Sequence, residues 1–334
     1  MSIKIGLDLG MSSTKLVGPK GEVMFFNQAS LPNQAYAKGS FTGLKTKKRP
    51  MVISGEFGEY YVGKGAHDFG QPIESFDFEH LTGTNEMRAL VYGALTAYQK
   101  LFGTFDEERL ILAVGLPLQL MSGENAKRNQ TAVTKWLGGV HIWSADGEQF
   151  TAEVERVLLA PQALGALYDY VFDIQGQAIA GNEKAMTLEC AEISVGSNSV
   201  ELMVTKRNSD TEKFIGGKAV GVRKLFKRID PKGLYSYGEL DMKLRGQDDE
   251  FDEETKKNLP GYITSWSVEV KDFIDKKWEG AHERFHKIFI VGGGVYLIEK
   301  ELKARFNGRT VVPENPLMSI GRGLYKILLV NVKE

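Results

Sequence analysis

The chain of 334 residues contains a single cysteine, Cys190. One thiol cannot form an internal disulfide, so a disulfide-stabilised extracellular fold is excluded and a reducing compartment is indicated. Cys190 lies in an apolar stretch typical of a strand, which favours a buried and unreactive thiol.

A large net charge is also lacking. The 42 basic residues balance 43 acidic ones, and the formal net charge is -1. No overall field therefore attracts the chain to nucleic acid or to an anionic membrane. No apolar run approaches the ~20 residues that a membrane-spanning helix needs, and no secretion signal is indicated. We expect a cytoplasmic protein that contacts neither nucleic acid nor membrane directly.

Two common nucleotide-binding motifs are missing as well. The pattern GxxxxGK[ST] does not occur, and the glycines at 292–294 do not follow GxGxxG, so a Walker P-loop is excluded and a dinucleotide fingerprint is unsupported. The stretch HERFH at 282–286 matches the HExxH pattern of zinc proteases, but no histidine follows it to supply a third ligand. We expect a surface helix end there rather than a protease.

What the sequence does contain is a strand–turn–strand pattern with a short polar turn, near the N-terminus and again near residue 190. The chain is long enough for two domains, each with its own core. We therefore predict an α/β fold with two similar α/β domains. Residues 1–160 plus 319–334 are predicted to form domain I, and 161–318 domain II. A small insert at about 28–80 and a mostly helical subdomain at about 216–285 complete the prediction.

Apolar spacing predicts the elements of both domains. Strands are predicted at 3–9, 14–17, 23–26, 110–116, 153–159, 186–195, 200–205 and 287–291. Helices are predicted at 86–102, 122–137, 162–173, 219–229, 296–306 and 319–331. Ser122 is expected to cap the second of these helices.

The first polar turn, in IGLDLGMSSTK at 5–15, carries the groups of a metal–phosphate site. Backbone N–H groups in a turn of small residues can bind phosphate oxygens, and Lys15 adds a positive charge. Asp8 is expected to hold Mg²⁺ through water, because Mg²⁺ keeps much of its hydration shell. A structural hairpin with a capping Asp is the alternative for this turn.

Two later segments extend the predicted site. The turn in ISVGSNSVE at 193–201 is expected to close on the phosphates from the other domain. Three glycines in FIVGGGVYLIEKEL at 289–302 would let the backbone approach a base and ribose closely. Tyr296, which follows them, is expected to lie against the base, and a core position is its alternative.

Six motifs along the chain share their order with one known superfamily. They are IGLDLGMSSTK (5–15), VGLPLQLM (114–121), VLLAPQALGALYDYV (157–171), ISVGSNSVELMV (193–204), IVGGGVYLIEKEL (290–302) and SIGRGLYKI (319–327). Taken in that order, they resemble the first phosphate motif, a Gly-Leu-Pro strand end, the first connection between domains, the second phosphate motif, the adenosine motif and the second connection. The chain thus resembles the actin/heat-shock-chaperone/sugar-kinase superfamily, and within it the ParM-type prokaryotic actin-like ATPases.

The resemblance implies two actin-like, ribonuclease H-like domains with ATP or GTP and Mg²⁺ bound between them. It implies catalytic positions for Asp8, which also holds the metal, for Gln162, which positions the attacking water, and for Ser194. A helix cap after Pro161 is the alternative for Gln162. The implied nucleotide-binding positions are Gly10, Met11, Ser12, Ser13, Lys15, Gly196, Ser197, Asn198, Ser199, Gly292, Gly293, Gly294 and Tyr296.

One position departs from the family pattern. The second phosphate motif of the family usually begins with Asp, but alignment on Gly196 places Ser194 there. Serine supplies no negative charge and accepts a proton poorly. Glu192 lies two residues earlier on the same strand face and is the alternative carboxylate for this role. Its position in the strand makes a contact with the site less favourable. The hypothesis is slow hydrolysis, or a differently held metal, with nucleotide binding retained.

The function implied by the resemblance is a nucleotide-dependent, self-assembling filament in plasmid or DNA segregation or in a related prokaryotic cytoskeleton. The implied partners are further copies of the chain and a DNA-binding adaptor protein. A small-molecule kinase and a non-polymerising nucleotide switch of the same superfamily are the alternatives.

Overall fold

The computed structural model describes residues 2–32, 48–74, 78–105, 108–207, 209–247 and 250–333. The predicted insert at about 28–80 therefore lies partly outside the described residues. The strands are β1 Ser2–Leu9, β2 Ser13–Gly18, β3 Gly21–Phe26, β4 Ala29–Pro32, β5 Met51–Gly55, β6 Gly58–Val62, β7 Gly70–Ile73, β8 Arg109–Leu116, β9 Gly139–Ala145, β10 Glu148–Pro161, β11 Cys190–Val195, β12 Val200–Lys206, β13 Ser209–Asp210, β14 Gly216–Lys218, β15 Lys287–Val291 and β16 Thr310–Val311. The α-helices are α1 Asn85–Phe102, α2 Leu118–Met121, α3 Ala126–Leu137, α4 Leu164–Val171, α5 Val222–Ile229, α6 Tyr237–Leu244, α7 Glu253–Trp278, α8 Val295–Phe306 and α9 Ser319–Asn331.

The described strands form two sheets that share one motif. The larger has the order β3-β2-β1-β8-β10-β9-β5-β6-β4-β7, and the smaller has the order β13-β12-β11-β15-β16 with β14 paired to β12. In each sheet a hairpin (β1–β2 or β11–β12) lies beside a parallel neighbour, β8 or β15. The prediction of an α/β fold with two similar domains is confirmed. The exact domain bounds, 1–160 with 319–334 and 161–318, stay a prediction.

Strand β1 shows why the central strands are almost continuously apolar. Ile5, Leu7 and Leu9 lie in the core beside α1, whereas Gly6 faces α9. A Cβ at Gly6 would lie 2.4 Å from the carbonyl oxygen of Gly321, so only glycine allows this helix to pack here. Both faces of the strand are therefore covered, as is usual for strands of a parallel pair such as β1 and β8.

Helices α4 and α9 lie between the two sheets and join them. Their side chains share one core with Phe289 and Val291 of the smaller sheet. The helices cross at Gly165 and Gly323, where a Cβ added to Gly323 would lie only 1.8 Å from the carbonyl oxygen of Gly165. Near this crossing, Lys326 Nζ lies 2.6 Å from Asp169 Oδ1, and both side chains are largely buried.

Several predicted boundaries are wrong. The second helix begins at Ala126, and Ser122 does not cap it. Instead Pro117 precedes the short helix α2, and the Ser122 hydroxyl donates to the Leu118 carbonyl at 2.8 Å. The strand predicted from residue 186 begins at Cys190, because Glu183–Met186 forms a 3₁₀ helix. The last helix, predicted at 319–331, is confirmed.

Strand β9 was not predicted, because it reverses the usual alternation. Val140 and Ile142 are exposed at 70% and 58%, while His141 and Trp143 are buried. The Tyr92 hydroxyl and His141 Nδ1 lie 2.9 Å apart, and His141 Nε2 lies 2.9 Å from the Leu137 carbonyl oxygen. A polar residue thus occupies a core position with its hydrogen bonds satisfied.

The pair Lys326–Asp169 gives a test of the junction between the sheets. Lys326→Met leaves a buried carboxylate without its partner, so we expect a loss of about 3–5 kcal/mol in the free energy of unfolding. The double variant Lys326→Met/Asp169→Leu removes both charges and should regain most of that loss. The control is Lys303→Met, which breaks the exposed pair with Glu299 and should cost below about 0.5 kcal/mol. Urea unfolding measures the stability of the three variants. Equal losses of stability for Lys326→Met and Lys303→Met would contradict the expectation.

Candidate functional site

A cavity of about 300 Å³ lies between the two sheets, where the β1–β2 turn, the β11–β12 turn and the start of α8 meet. All but one of the site residues predicted from the sequence line it. These are Asp8, Gly10, Met11, Ser12, Lys15, Gln162, Ser194, Gly196, Ser197, Asn198, Ser199, Gly292, Gly293, Gly294 and Tyr296. The exception is Ser13, which lies in β2 with a buried hydroxyl. The fold thus brings the predicted residues together, while their roles stay predictions.

Asp8 is a buried carboxylate held by two neighbours. The register of the β1–β2 hairpin places Lys15 opposite it, and Lys15 Nζ lies 3.0 Å from Asp8 Oδ2. Gln162 Nε2 donates to Asp8 Oδ1 at 2.7 Å. The Gln162 side chain makes no cap: helix α4 begins after Ala163 without a side-chain cap. One carboxylate therefore organises the end of β1, the following hairpin and the end of β10.

Glycines shape both sides of the cavity. A Cβ at Gly10 would lie 2.6 Å from the Ser13 carbonyl oxygen and 2.8 Å from Lys15 Nζ. Gly292 has a φ of +97°, and a Cβ at Gly294 would lie 2.4 Å from Val195 Cγ1. The turns pack so tightly that only glycine fits, and their backbone is left open to a ligand.

Tyr296 lies at the rim of the cavity, at the start of α8. It is 56% exposed, so the alternative of a core position is wrong. Its ring is available to a ligand in the cavity.

Helix α6 and the residue that follows it contribute side chains that the sequence analysis missed. Asp241, Leu244 and Arg245 line the cavity, and Arg245 Nε donates to Asp241 Oδ2 at 2.7 Å. A capping box between Ser236 and Glu239 fixes the start of this helix. The available signal was an Asp–Arg pair four residues apart within a stretch interpreted only as polar and helical.

The two glutamates near Ser194 differ in their positions. Glu192 is fully buried and does not line the cavity, and burial raises the pKa of its carboxyl well above the usual range. Glu201, which the sequence analysis did not single out, pairs with Ser194 in the β11–β12 register. Its Oε2 accepts from the Leu118 N–H at 3.3 Å and its Oε1 from the Ser199 hydroxyl at 3.4 Å. Burial first, and the charge of Asp8 in addition, raise the pKa of Glu201 to about 7.

A second set of contacts bridges the mouth of the cleft. His67 Nδ1 and Ser236 Oγ lie 2.8 Å apart, and the Tyr237 N–H donates to Glu74. The Arg223 guanidinium lies 4.9 Å from the Tyr237 ring centroid. The segment from His67 to Glu74 is therefore bound to the start of α6.

The polar groups of the cavity suit Mg²⁺, which takes many of its ligands from phosphates and water, better than a metal held by protein side chains alone. No three His, Cys, Asp or Glu side chains gather at a potential metal site in the described part of the chain. Mg²⁺ needs only one or two carboxylates when phosphates and water supply its other ligands, and Asp8 offers one beside the β1–β2 turn. The HERFH stretch is excluded as a zinc helix, because Ala281–Arg284 forms a 3₁₀ helix and His286 lies beyond it.

None of the α-helices that the structure describes combines the length and the apolar character needed to cross a bilayer.

Solved structures share this fold over nearly the whole chain. The apo psk41 ParM protein has a TM-score of 0.72 at 15% identity, with 98% of this chain and 96% of that chain covered. A ParM filament from Clostridium botulinum has a TM-score of 0.72 at 18% identity, with 98% of each chain covered. Ta0583, an archaeal actin homolog in complex with ADP, has a TM-score of 0.68 at 17% identity, with 97% and 98% covered. None of the curated protein sequences matches this chain.

The fold is therefore that of the actin-like proteins, with two domains and a cleft between them. Residues 6–165 match the family model described as actin-like proteins, N-terminal domain. The resemblance predicted from the sequence is confirmed.

The contact at the mouth of the cleft predicts a pH effect. Burial lowers the pKa of His67 in spite of the opposing charges of Glu239 and Asp68. The unfolded chain then binds a proton at His67 more readily than the folded chain does. The stability that the neutral His67 gives to the folded chain is therefore lost as the pH falls below about 6.5. We expect the difference in free energy of unfolding between wild type and His67→Gln to shrink between pH 7.5 and 5.5. His141 is present in both proteins, so its titration cancels in the difference between them. A difference in free energy of unfolding, measured with urea, that does not change with pH would contradict the expectation.

Proposed function

We propose that this chain is an actin-like protein that binds ATP or GTP with Mg²⁺, hydrolyses it slowly and assembles into homopolymeric filaments. The observation that carries the proposal is the meeting of both phosphate-type turns and the glycine segment around one cavity. Because these segments come from distant parts of the chain, their convergence supports a common ligand more strongly than any single motif does.

The first turn would bind phosphate. Gly10, Met11 and Ser12 of this turn line the cavity, backbone N–H groups in such a turn can bind phosphate oxygens, and Lys15 supplies a positive charge. In the structure Lys15 is paired with Asp8, so a phosphate group would compete for the ammonium and free Asp8 to hold metal-bound water. When bound, Mg²⁺ would neutralise charge on the transferring phosphoryl group.

The second turn and the glycine segment would hold the rest of the nucleotide. Gly196, Ser197 and Asn198 face the first turn across the cavity. The glycines at 292–294 permit a base and ribose to approach the backbone, with Tyr296 beside them. Gln162, bound to Asp8, has a side-chain amide that can orient the attacking water.

Slow hydrolysis follows from Ser194. This residue lines the cavity where the family pattern has a carboxylate, and a hydroxyl is a poor proton acceptor. A non-polymerising nucleotide switch is the second candidate function that this serine favours.

Filament formation is supported by the structural neighbours, one of which is described as a 15-stranded ParM filament. Ligand-driven closure of two domains can create a head-to-tail surface, and heterologous contacts that do not close into a ring give open filaments. With a net charge of -1, the chain has no field of its own for DNA. Cytoplasmic plasmid or DNA segregation would therefore need a DNA-binding adaptor.

Sedimentation with and without Mg-ATP and Mg-GTP, together with phosphate release, tests the proposal. We expect nucleotide-dependent pelleting with little phosphate release. Phosphate release without pelleting would favour the kinase or the non-polymerising switch, and phosphate transfer to a hydroxyl compound without pelleting would point to the small-molecule kinase.

Lys15→Met tests the phosphate role of the first turn. Loss of a charged hydrogen bond should weaken nucleotide binding about 10- to 100-fold, as measured by titration with a fluorescent nucleotide. Lys64→Met, at an exposed position, is the control and should bind as the wild type does. Equal affinities for the two variants would contradict the assignment.

Ser194→Asp tests the cause of slow hydrolysis. Restoring a carboxylate at this position should raise the rate of phosphate release by about 10-fold or more, with nucleotide affinity little changed. Ser194→Asn has a similar volume without the charge and serves as the control. A Ser194→Asp variant no faster than its parent, or a parent that already hydrolyses rapidly, would contradict the hypothesis.

A further inference from the structure

We propose that the free edge of strand β9 is a docking site for an extended, carboxylate-bearing segment of a partner protein, which adds one strand to the larger sheet. The surface lies outside the nucleotide cleft. It therefore goes beyond the proposed function, whose assembly joins copies of one chain.

Strand β9 is fully paired on one side only. Its residues pair with β10 from end to end. On the other side, β5 pairs with it only opposite Ser144 and Ala145. Strand β5 then turns away at Gly55, which pairs with Gly58 across a tight turn. In the described part of the chain, residues 139–143 therefore have no strand beside them on that side.

The hydrogen bonds of β9 show which backbone groups point toward this open side. The Asp146 N–H donates to the Val52 carbonyl oxygen of β5 at 2.9 Å. In an antiparallel ladder the backbone groups of every second residue point the same way, so those of Ser144, Ile142 and Val140 do too. The N–H and C=O groups of Val140 and Ile142 thus point into the opening. An added strand is the partner that satisfies such a row of groups.

The side chains on this edge are those of an interface. Val140 and Ile142 are exposed at 70% and 58%, and both are β-branched. Free edges in natural proteins are usually protected by devices such as a lysine or a proline, and residues 139–143 (GVHIW) contain neither. A strand laid beside β9 would cover both side chains with its own on the same face.

A groove of about 1330 Å³ lies beside the free edge, and buried aromatic side chains line it. These side chains are already fixed by their neighbours. The Tyr92 ring stacks on Trp143 with ring centroids 4.8 Å apart, and Trp136 Nε1 donates to the Leu81 carbonyl oxygen at 2.9 Å. The site is therefore preformed, so little ordering of the protein opposes binding.

The charges of the groove determine the sign of the partner. Arg88 and Lys135 line it, against Glu56 alone on the acidic side of this lining. The Arg88 guanidinium lies 5.5 Å from the Trp136 ring centroid, and its Nε donates to the Gly83 carbonyl oxygen at 2.9 Å. Neither cation forms an ion pair with a carboxylate among the described residues. A carboxylate of the partner would supply the counter-charge.

Strand geometry gives the sequence pattern of the partner. Residues that pair with Val140 and Ile142 would place their side chains on the exposed face. The residue between them lies opposite His141, so its side chain would face the side of Tyr92 and Arg88. The partner segment is therefore apolar, acidic and apolar in succession, with the acidic side chain directed at Arg88.

Amide hydrogen exchange of the whole chain tests the free edge. The amides of Val140 and Ile142 should exchange at least about 10-fold faster than those of His141 and Trp143, whose N–H groups point to β10. Equal protection of all four amides would show that the edge is already occupied and would overturn the proposal.

Peptide binding tests the added strand. The probe is a fluorescently labelled peptide, Thr-Val-Glu-Val-Thr, blocked at both ends, and binding is measured by fluorescence anisotropy. N-methylation of both valines removes the N–H groups that would donate to β9. N-methylation of the glutamate and the last threonine adds as many methyl groups, but on the side that faces away. We expect the first change to weaken binding at least about 10-fold and the second to have little effect. Equal affinities of the two modified peptides would overturn the proposal.

Variants of the protein test the same contacts from the other side. Ile142→Pro removes an N–H group that points into the opening, a position where an edge strand accepts proline, and should weaken binding at least about 10-fold. Arg88→Gln should weaken binding of the glutamate peptide about 10-fold but not that of its glutamine analogue. Leu101→Gln alters an apolar side chain that is 69% exposed outside the groove, and should bind as the wild type does. Equal affinities of all three variants would contradict the site.

The remaining outcomes concern the other occupants of the edge. A wild type that binds no peptide but forms a dimer that Ile142→Pro dissociates would overturn the partner segment and assign the edge to a second copy of the chain. A wild type that does neither would overturn the docking site. Both results are obtained without nucleotide, so failure of the proposed function is recorded separately.

Discussion

The buried carboxylate of Asp8 is the constraint on which the arrangement of the cleft depends. A charge that is 2% exposed must be paired or hydrogen-bonded. Lys15 meets this need through the hairpin register, and Gln162 meets it from the end of β10. The first turn, the central strands and the start of α4 therefore meet at this one side chain. The second turn has no equivalent centre at Ser194.

Local patterns were sufficient for much of the fold. Apolar runs ended by glycine or proline predicted β1, β8 and β15, and the amphipathic spacing of 319–331 predicted α9. The cavity-lining glycines were recognisable because three in succession serve little purpose in an ordinary connection. These features depend on neighbours in sequence, which a pattern can reveal.

The missed features depend on contacts between distant residues. Glu201 was missed because its place opposite Ser194 depends on strand pairing, and its contact with Leu118 depends on the approach of α2 from the other sheet. Asp241 and Arg245 line the cavity only because α6 folds over it. In β9 the exposed Val140 and the buried His141 contradict simple hydropathy, since a hydrogen bond to Tyr92 satisfies the imidazole. In each case tertiary geometry, rather than local propensity, decides the outcome.

The crossing of α4 and α9 at Gly165 and Gly323 limits how the two domains can move. Backbone meets backbone there, with no side chain between them that could change its rotamer. Such a contact opposes sliding of one helix along the other, because any flanking side chain would collide with the opposing main chain. It still permits a small rotation about the point of contact. The glycine pair thus defines a fixed pivot, and opening of the cleft should follow one axis whatever ligand it contains.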